Sequence, residues 1–429
     1  MLSTNHIPEG WVESTLGSAV EILSSKRIFA ADYVSDGIPF YRSKEIIEKS
    51  KGGTISTPLF ITEKRYNDIK EIFGAPVNGD LLISAVGDRA GIPYYIKDDG
   101  DFYFKDGNLI WFRNFNEKLS SHYLCYFLKS RIGQYKLDSL MIGSAQKALT
   151  IVGIKSMKLL LPPLPEQKAI AKVLTAFDDK IELLQAQNKT LETMAQTIFK
   201  EWFGKYQIGD ELPEGWRVGE FGEVIEFING YAFKSKELYT EPIENAYKVF
   251  KMGDINKGGG FKPGKTKGYF PKSMSTKLNK YILKNGDLLM SMTDMKDAVS
   301  LLGHTALMIY EDEYIVNQRV GLIRVKNDLN IEYPYLYLLT NNDDFIAGIR
   351  AGANSGVQVN LSTQGIKETE FIIADKETNK VFNNVVMPLF EKRKANSQMI
   401  KELAKTRDTL LPKLMSGQVR VTKEKLQIS

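Results

Sequence analysis

Ile7-Pro8-Glu9-Gly10-Trp11, with Leu16-Gly17 after it, returns about two hundred residues later as Leu212-Pro213-Glu214-Gly215-Trp216 with Phe221-Gly222. Further segments repeat in the same order. Asn78-Gly79-Asp80-Leu81-Leu82-Ile83-Ser84 returns as Asn285-Gly286-Asp287-Leu288-Leu289-Met290-Ser291, and Tyr123–Leu128 returns as Tyr335–Leu339. Gln146, Leu149 and Ile154 return with unchanged spacing as Gln358, Leu361 and Ile366. A period this long is not that of a solenoid; it predicts two similar globular domains in one chain.

Each half ends in a helical pattern. Ile170, Leu174, Phe177, Ile181, Leu184, Asn188, Leu191, Ala195, Ile198 and Trp202 follow alternating steps of four and three, an a/d seam. Phe382, Val386, Leu389, Arg393, Asn396, Ile400, Leu403, Arg407, Leu410 and Leu414 follow the same steps, with three polar interruptions. Pro388 is expected to start or kink this second helix. Two single stripes most simply bury each other, antiparallel if the repeats are related by a rough two-fold. That register sets Asn188 against Asn396, Leu184 against Ile400, Ile181 against Leu403 and Leu174 against Leu410. Leu183 and Met194 lie off the seam, and Phe199, Trp202 and Phe203 crowd the first helix's end. This surplus apolar surface suggests further burial, on the globular domains or on partner helices.

Between the helices, Leu81–Val86, Leu288–Met292, Leu109–Phe112 and Val320–Val325 read as strands. His122–Lys129 and Pro334–Thr340 read as short helices. The fold class is therefore α+β: two similar α/β domains separated by two long antiparallel coiled-coil helices. The expected boundaries are 1–162 for the first domain, 163–204 for the first helix, 205–375 for the second domain, 376–418 for the second helix and 419–429 for a tail.

The chain has 429 residues, 43% hydrophobic and 25% charged, which excludes disorder and low complexity for most of its length. One cysteine, Cys125, excludes a disulfide framework and any multi-cysteine metal site, and the three scattered histidines argue against a histidine site. No metal is expected. No apolar run approaches a membrane span, and residues 1–10 do not read as a secretory signal, so a cytoplasmic protein is expected. The net charge of +5 is only mildly basic.

Charge is concentrated locally. From Lys248 to Lys284 ten lysines face one acid, Asp254, with Phe250, Phe261, Tyr269, Phe270 and Tyr281 interleaved. A run this one-sided favours a phosphate-backbone surface. Within it, residues 259–266 match GxxxxGK[ST], the phosphate loop of nucleotide hydrolases. That loop needs a helix immediately after it, and Lys267-Gly268-Tyr269-Phe270-Pro271 is a poor helix start. It reads as a surface loop. A hydrolase using Lys265 and Thr266 is the enzymatic rival, and a stand-alone two-domain DNA-binding regulator is the non-enzymatic one. No nucleophile elbow, dinucleotide loop or amine-holding Asn/Asp-Pro-Pro-aromatic run is present. The sequence reads as a binder.

These features resemble the specificity subunits of type I restriction–modification systems. The resemblance rests on the two Pro-Glu-Gly-Trp starts, the two Gly-Asp-Leu-Leu segments and Pro163-Leu164-Pro165-Glu166-Gln167-Lys168-Ala169-Ile170-Ala171. Asp178-Asp179-Lys180-Ile181 and the ending Leu410-Leu411-Pro412-Lys413-Leu414-Met415-Ser416-Gly417 complete it. It implies that each domain reads one half of a split, asymmetric site on double-stranded DNA. It implies that the helices set the spacer and dock two adenine methyltransferase subunits that modify N6, with restriction/translocase subunits where the system has them. This chain would have no active site and no cofactor of its own. S-adenosylmethionine would belong to the methyltransferase, and ATP with magnesium to the restriction subunit. Base chemistry requires the base out of the stack, which suits a separate catalytic chain.

Residue type and loop position nominate DNA contacts, since Arg pairs with guanine and Gln or Asn with adenine while Lys holds phosphate. In the first domain they are Lys26, Arg27, Arg42, Lys44, Arg89, Gln146 and Lys147. In the second they are Lys234, Lys251, Lys265, Lys267, Thr293, Gln318, Arg319 and Gln358.

Overall fold

A computed structural model describes residues 7–53, 55–87, 89–143, 147–262, 268–295, 299–355 and 358–421. The chain divides into two compact units, one made of 1–184 with 399–429, the other of 185–398.

The repeat read from the sequence is a repeat of sheets. In the first unit β1 (Glu21–Leu23), β2 (Leu81–Ser84), β3 (Pro93–Tyr95) and β4 (Leu109–Arg113) form an antiparallel sheet in the order β1-β4-β2-β3. In the second unit β5 (Ile225–Asn229), β6 (Leu288–Ser291), β7 (Thr305–Leu307) and β8 (Val320–Val325) take the same order, β5-β8-β6-β7. Each unit adds a parallel pair, Ile38–Tyr41 with Tyr103–Phe104 and Ala246–Phe250 with Tyr314–Val316. Each also joins its first strand to the strand before its following long helix: Val12–Thr15 to Lys158–Leu161, and Arg217–Glu220 to Glu370–Ile373. β2 and β6 are buried at every position, which is why they read as unbroken apolar runs.

The Asn-Gly-Asp repeat is a turn that starts these strands. Gly79 and Gly286 take φ of +94° and +89°, a left-handed conformation that suits glycine. The aspartate then closes the turn: Asp80 accepts from the Val77 N–H at 3.1 Å and Asp287 from the Lys284 N–H at 2.8 Å. Asp80 also accepts from Trp111 Nε1 at 2.8 Å; burial raises its carboxyl above the usual range despite these bonds. Asp287 is held instead by the Arg324 guanidinium at 2.9 and 3.0 Å.

The long helices span Leu164–Phe203 and Lys376–Met415. The second runs unbroken through Pro388, against the expectation of a start or kink there. Pro388 and Asn384 are both exposed, so water can reach the carbonyl left without its donor. In the first unit Ile170, Ala171 and Leu174 share a core with Leu414 and Met415. In the second, Ala195, Phe199 and Phe203 share one with Phe382, Val386 and Phe390. The helix partners within each unit therefore run antiparallel. Phe199, Trp202 and Phe203, which the sequence leaves as surplus, are absorbed by the second unit's own core, whereas Leu183 and Met194 remain about half exposed.

The polar interruptions of the seam are bonded. Asn396, buried, donates to Asn188 Oδ1 at 3.0 Å, and Asn188 donates to Ser397 Oγ at 3.1 Å. Arg393 bonds Glu192 at 2.9 Å, and Glu192 also accepts from the Tyr337 hydroxyl at 2.5 Å. Arg407 bonds Asp178, which accepts from Tyr126. Replacing Asn188 alone by leucine leaves the buried Asn396 amide only its long 3.4 Å bond to Gln187 and is expected to cost about 1–3 kcal/mol. Replacing both by leucine should be neutral or stabilising, at a loss of register discrimination. Urea unfolding of the single and double variants checks this; a double variant less stable than the single one contradicts it.

Candidate nucleic-acid interface

At the ends of β2 and β6 the two units use the same backbone frame. The Gly91 N–H bonds Ser84 O at 2.7 Å and the Gly303 N–H bonds Ser291 O at 2.9 Å. Ala85 N–H bonds Asn108 O as Met292 N–H bonds Arg319 O, and Leu149 N–H bonds Ala85 O as Leu361 N–H bonds Met292 O. This frame gathers the loops that carry Arg89 and Lys147 in the first unit and Gln318 and Arg319 in the second.

In the first unit a chain of bonds joins these loops. Gly107 N–H meets Ser24 Oγ, Ser43 Oγ meets Asn108 O, and Gly87 N–H meets Lys147 O. Lys26, Arg27, Lys44, Arg89 and Lys147 are exposed on adjoining segments. Lys26 sits with its ammonium 3.8 Å from the Phe73 ring centroid, Lys44 reaches Thr57, and Arg27 makes an exposed ion pair with Asp106 at 2.9 Å. Arg42 is different. It clamps the fully buried Glu45 with two side-chain bonds and its own N–H, capping helix Ser43–Lys49. Burial raises the Glu45 carboxyl, but the bonds from Arg42 prevail and hold it below its ordinary value. This guanidinium is engaged in the fold. Gln146 lies outside the described residues.

In the second unit Lys251, Met252, Gly253, Asp254, Asn317, Gln318 and Arg319 line a cleft of about 350 Å³. The turn Asn317–Val320 leads into β8 and is pinned three times: Asn317 N–H to Phe250 O, Gln318 N–H to Tyr231 O, and Arg319 O to Met292 N–H. Gln318 and Arg319 are exposed at its tip. Thr293 lies beside the cleft but is buried, donating to Met252 Sδ. Lys234 is exposed at the start of the Ser235–Glu237 turn, its N–H bonded to Glu237. Gln358 begins the strand Gln358–Asn360, paired with Thr293–Met295; its side chain lies outside the described part, as do Lys265 and Lys267. Asn317 and Tyr231, which shape the turn, carry no signal in the sequence.

The lysine-rich stretch is less one-sided in three dimensions. Lys248 pairs with Glu313 at 3.3 Å, Lys272 bonds Asp312 O, and Glu311 accepts from the Asn285 N–H. Phe250 and Phe270 are core residues, unavailable for stacking on bases. Gly259 and Gly260 belong to a tight turn bridged at Ile255 and Phe261, and among the described residues the element that follows is the strand Tyr269–Pro271 and not a helix. Among the described residues no group of His, Cys, Asp or Glu could hold a metal ion, and no helix is long and apolar enough to cross a membrane. His122 stacks on Tyr95, and His304 is buried against Asn341.

The family model of the type I restriction modification DNA specificity domain matches residues 8–193 and again 213–405. The chain belongs to this family. It is 27% identical over 339 residues to the type I restriction enzyme MjaIX specificity subunit of Methanocaldococcus jannaschii, covering 72% of each chain. It is 23% identical over 400 residues to the HindI specificity subunit of Haemophilus influenzae, covering 80% of this chain and 86% of that one. The crystal structure of the type I restriction–modification S subunit from M. genitalium shares the fold, with a TM-score of 0.59 at 16% identity over 96% of this chain and 98% of that one. The type I specificity-subunit architecture accounts for the double occurrence of each sheet, and the chain is a specificity subunit of a type I restriction–modification system. The stand-alone regulator is not favoured.

Proposed function

We propose that each unit of this specificity subunit reads one half of a split, asymmetric DNA site, and that the chain performs no chemistry itself. The observation that carries this reading is the shared sheet order with unlike loops: one frame, two different sets of exposed side chains. Lys26, Arg27, Lys44, Arg89 and Lys147 would serve one half-site, and Lys251, Gln318 and Arg319 the other. Two adenine methyltransferase subunits, binding S-adenosylmethionine, would dock on the helices, where Leu183 and Met194 stay exposed. A restriction/translocase subunit would bring ATP and magnesium. The complex would act in the cytoplasm.

The test is co-expression with the methyltransferase subunit of the same system, followed by adenine-methylation mapping. Methylation at one split motif, lost when this chain is omitted, supports the proposal; sequence-specific binding without partner or methylation points to the regulator instead. The helices also make a quantitative prediction. One heptad inserted into both should add about 10 Å, or about three base pairs, to the unread spacer. Both half-sites should stay the same. Changed half-sites with an unchanged spacer would sink the ruler.

A further inference from the structure

Arg319 is the residue at which the two units differ most in chemical meaning. It occupies the position before β8 that Asn108 occupies before β4, as the shared carbonyl bonds to Met292 and Ala85 show. The first unit's turn presents Gly107 and Asn108 there; the second presents Gln318 and Arg319. Arg319 has φ of +72°, a left-handed backbone that side-chain-bearing residues seldom adopt. Glycine would sit there without strain. Arg27, Arg42, Arg113 and Arg324 each bond a carboxylate, whereas among the described residues the Arg319 guanidinium has no ion-pair partner. A strained, rigidly pinned turn thus holds a free guanidinium fork at the rim of a concave cleft.

We propose that Gln318–Arg319 is a base-reading turn, and that Arg319 selects a guanine in the half-site read by the second unit. This rests on the assignment of the units as DNA readers. The fork matches the O6 and N7 acceptors of guanine in the major groove. Lys251 and Asp254 line the same cleft, with the Lys251 N–H bonded to Asp254 Oδ2 at 2.8 Å. The first unit has Asn108 at this position, so an arginine-to-guanine contact here is confined to the second unit.

Two substitutions test it in the complex with the methyltransferase, with methylation mapped on random-sequence DNA. Arg319→Gly removes the fork and relieves the backbone, so the protein should fold at least as stably as the parent. It should lose about ten- to a hundredfold of discrimination at one guanine of one half-site. Arg319→Lys keeps the charge but not the fork and should relax the same position. Unchanged base preferences in both variants would overturn the proposal. So would a uniform loss over all sequences in Arg319→Gly that Arg319→Lys restores, the behaviour of a phosphate contact. If the parent chain directs methylation to no split motif, the failure lies with the DNA-reader assignment.

Discussion

Replacing Phe382 by alanine is expected to destabilise the second unit by about 3–5 kcal/mol. The ring is fully buried, with centroids of Phe203, Trp202, Tyr335 and Phe199 between 4.9 and 6.0 Å away. Its neighbours belong to the end of one long helix and to the globular half, while Phe382 sits near the start of the other helix. Removing it opens a cavity at the point where three elements meet, and aromatic rings this large collapse poorly into the space. Tryptophan fluorescence during urea unfolding reads the loss directly, because Trp202 and Trp216 both adjoin the cluster through Phe203. A loss below 1 kcal/mol would mean that the helices are not anchored here.

Arg324→Leu should cost about 2–4 kcal/mol for a different reason. Asp287 is 4% exposed, and Arg324 supplies two of its bonds and a third to Ile282 O. Without Arg324 a buried carboxylate keeps only the Lys284 N–H, the costly state of a broken buried pair. The range is set below that of a fully buried pair because Arg324 is about a quarter exposed. Adding Asp287→Asn should recover part of the loss by removing the stranded charge. In the first unit Arg113, at the position equivalent to Arg324, pairs with Glu21, and the neutral Trp111 indole bonds Asp80, so the same turn is held by two chemistries. Thermal unfolding of Arg324→Leu with and without Asp287→Asn checks the prediction; no recovery would show that the ion pair matters through packing alone.

The parts legible in the sequence are those written in local pattern. A heptad needs only spacing, so the seam and the opposition of Asn188 to Asn396 could be read without a structure. The Asn-Gly-Asp turn needs only a glycine and a short acid. The parts that were illegible depend on segments distant in the chain. The apolar surplus at Phe199, Trp202 and Phe203 is legible as calling for cover, but which of the two expected covers it finds is not, because Tyr335 and Phe382 lie far along the sequence. The lysine stretch reads as unbalanced because Glu313, which pairs with Lys248, comes from another loop. Pro388 looked like a break because its effect depends on whether the neighbouring turn is wet. Arg319 could be nominated by residue type, but the left-handed turn and cleft that give it a role come from bonds to Phe250, Tyr231 and Met292.

The interleaving of the two units bears on how the chain is made. Residues 185–398 form a contiguous unit, whereas the other unit needs 399–429 to complete it. On the ribosome the later-starting unit can therefore finish first. The core that holds Ile170 and Leu174 stays incomplete until Leu414 and Met415 emerge. A ribosome stalled near residue 400 would release a chain whose second unit is whole and whose first unit is unsealed, a natural substrate for holding chaperones. The same asymmetry makes the contiguous unit the easier cassette to exchange between genes, since a single inserted segment carries its entire core.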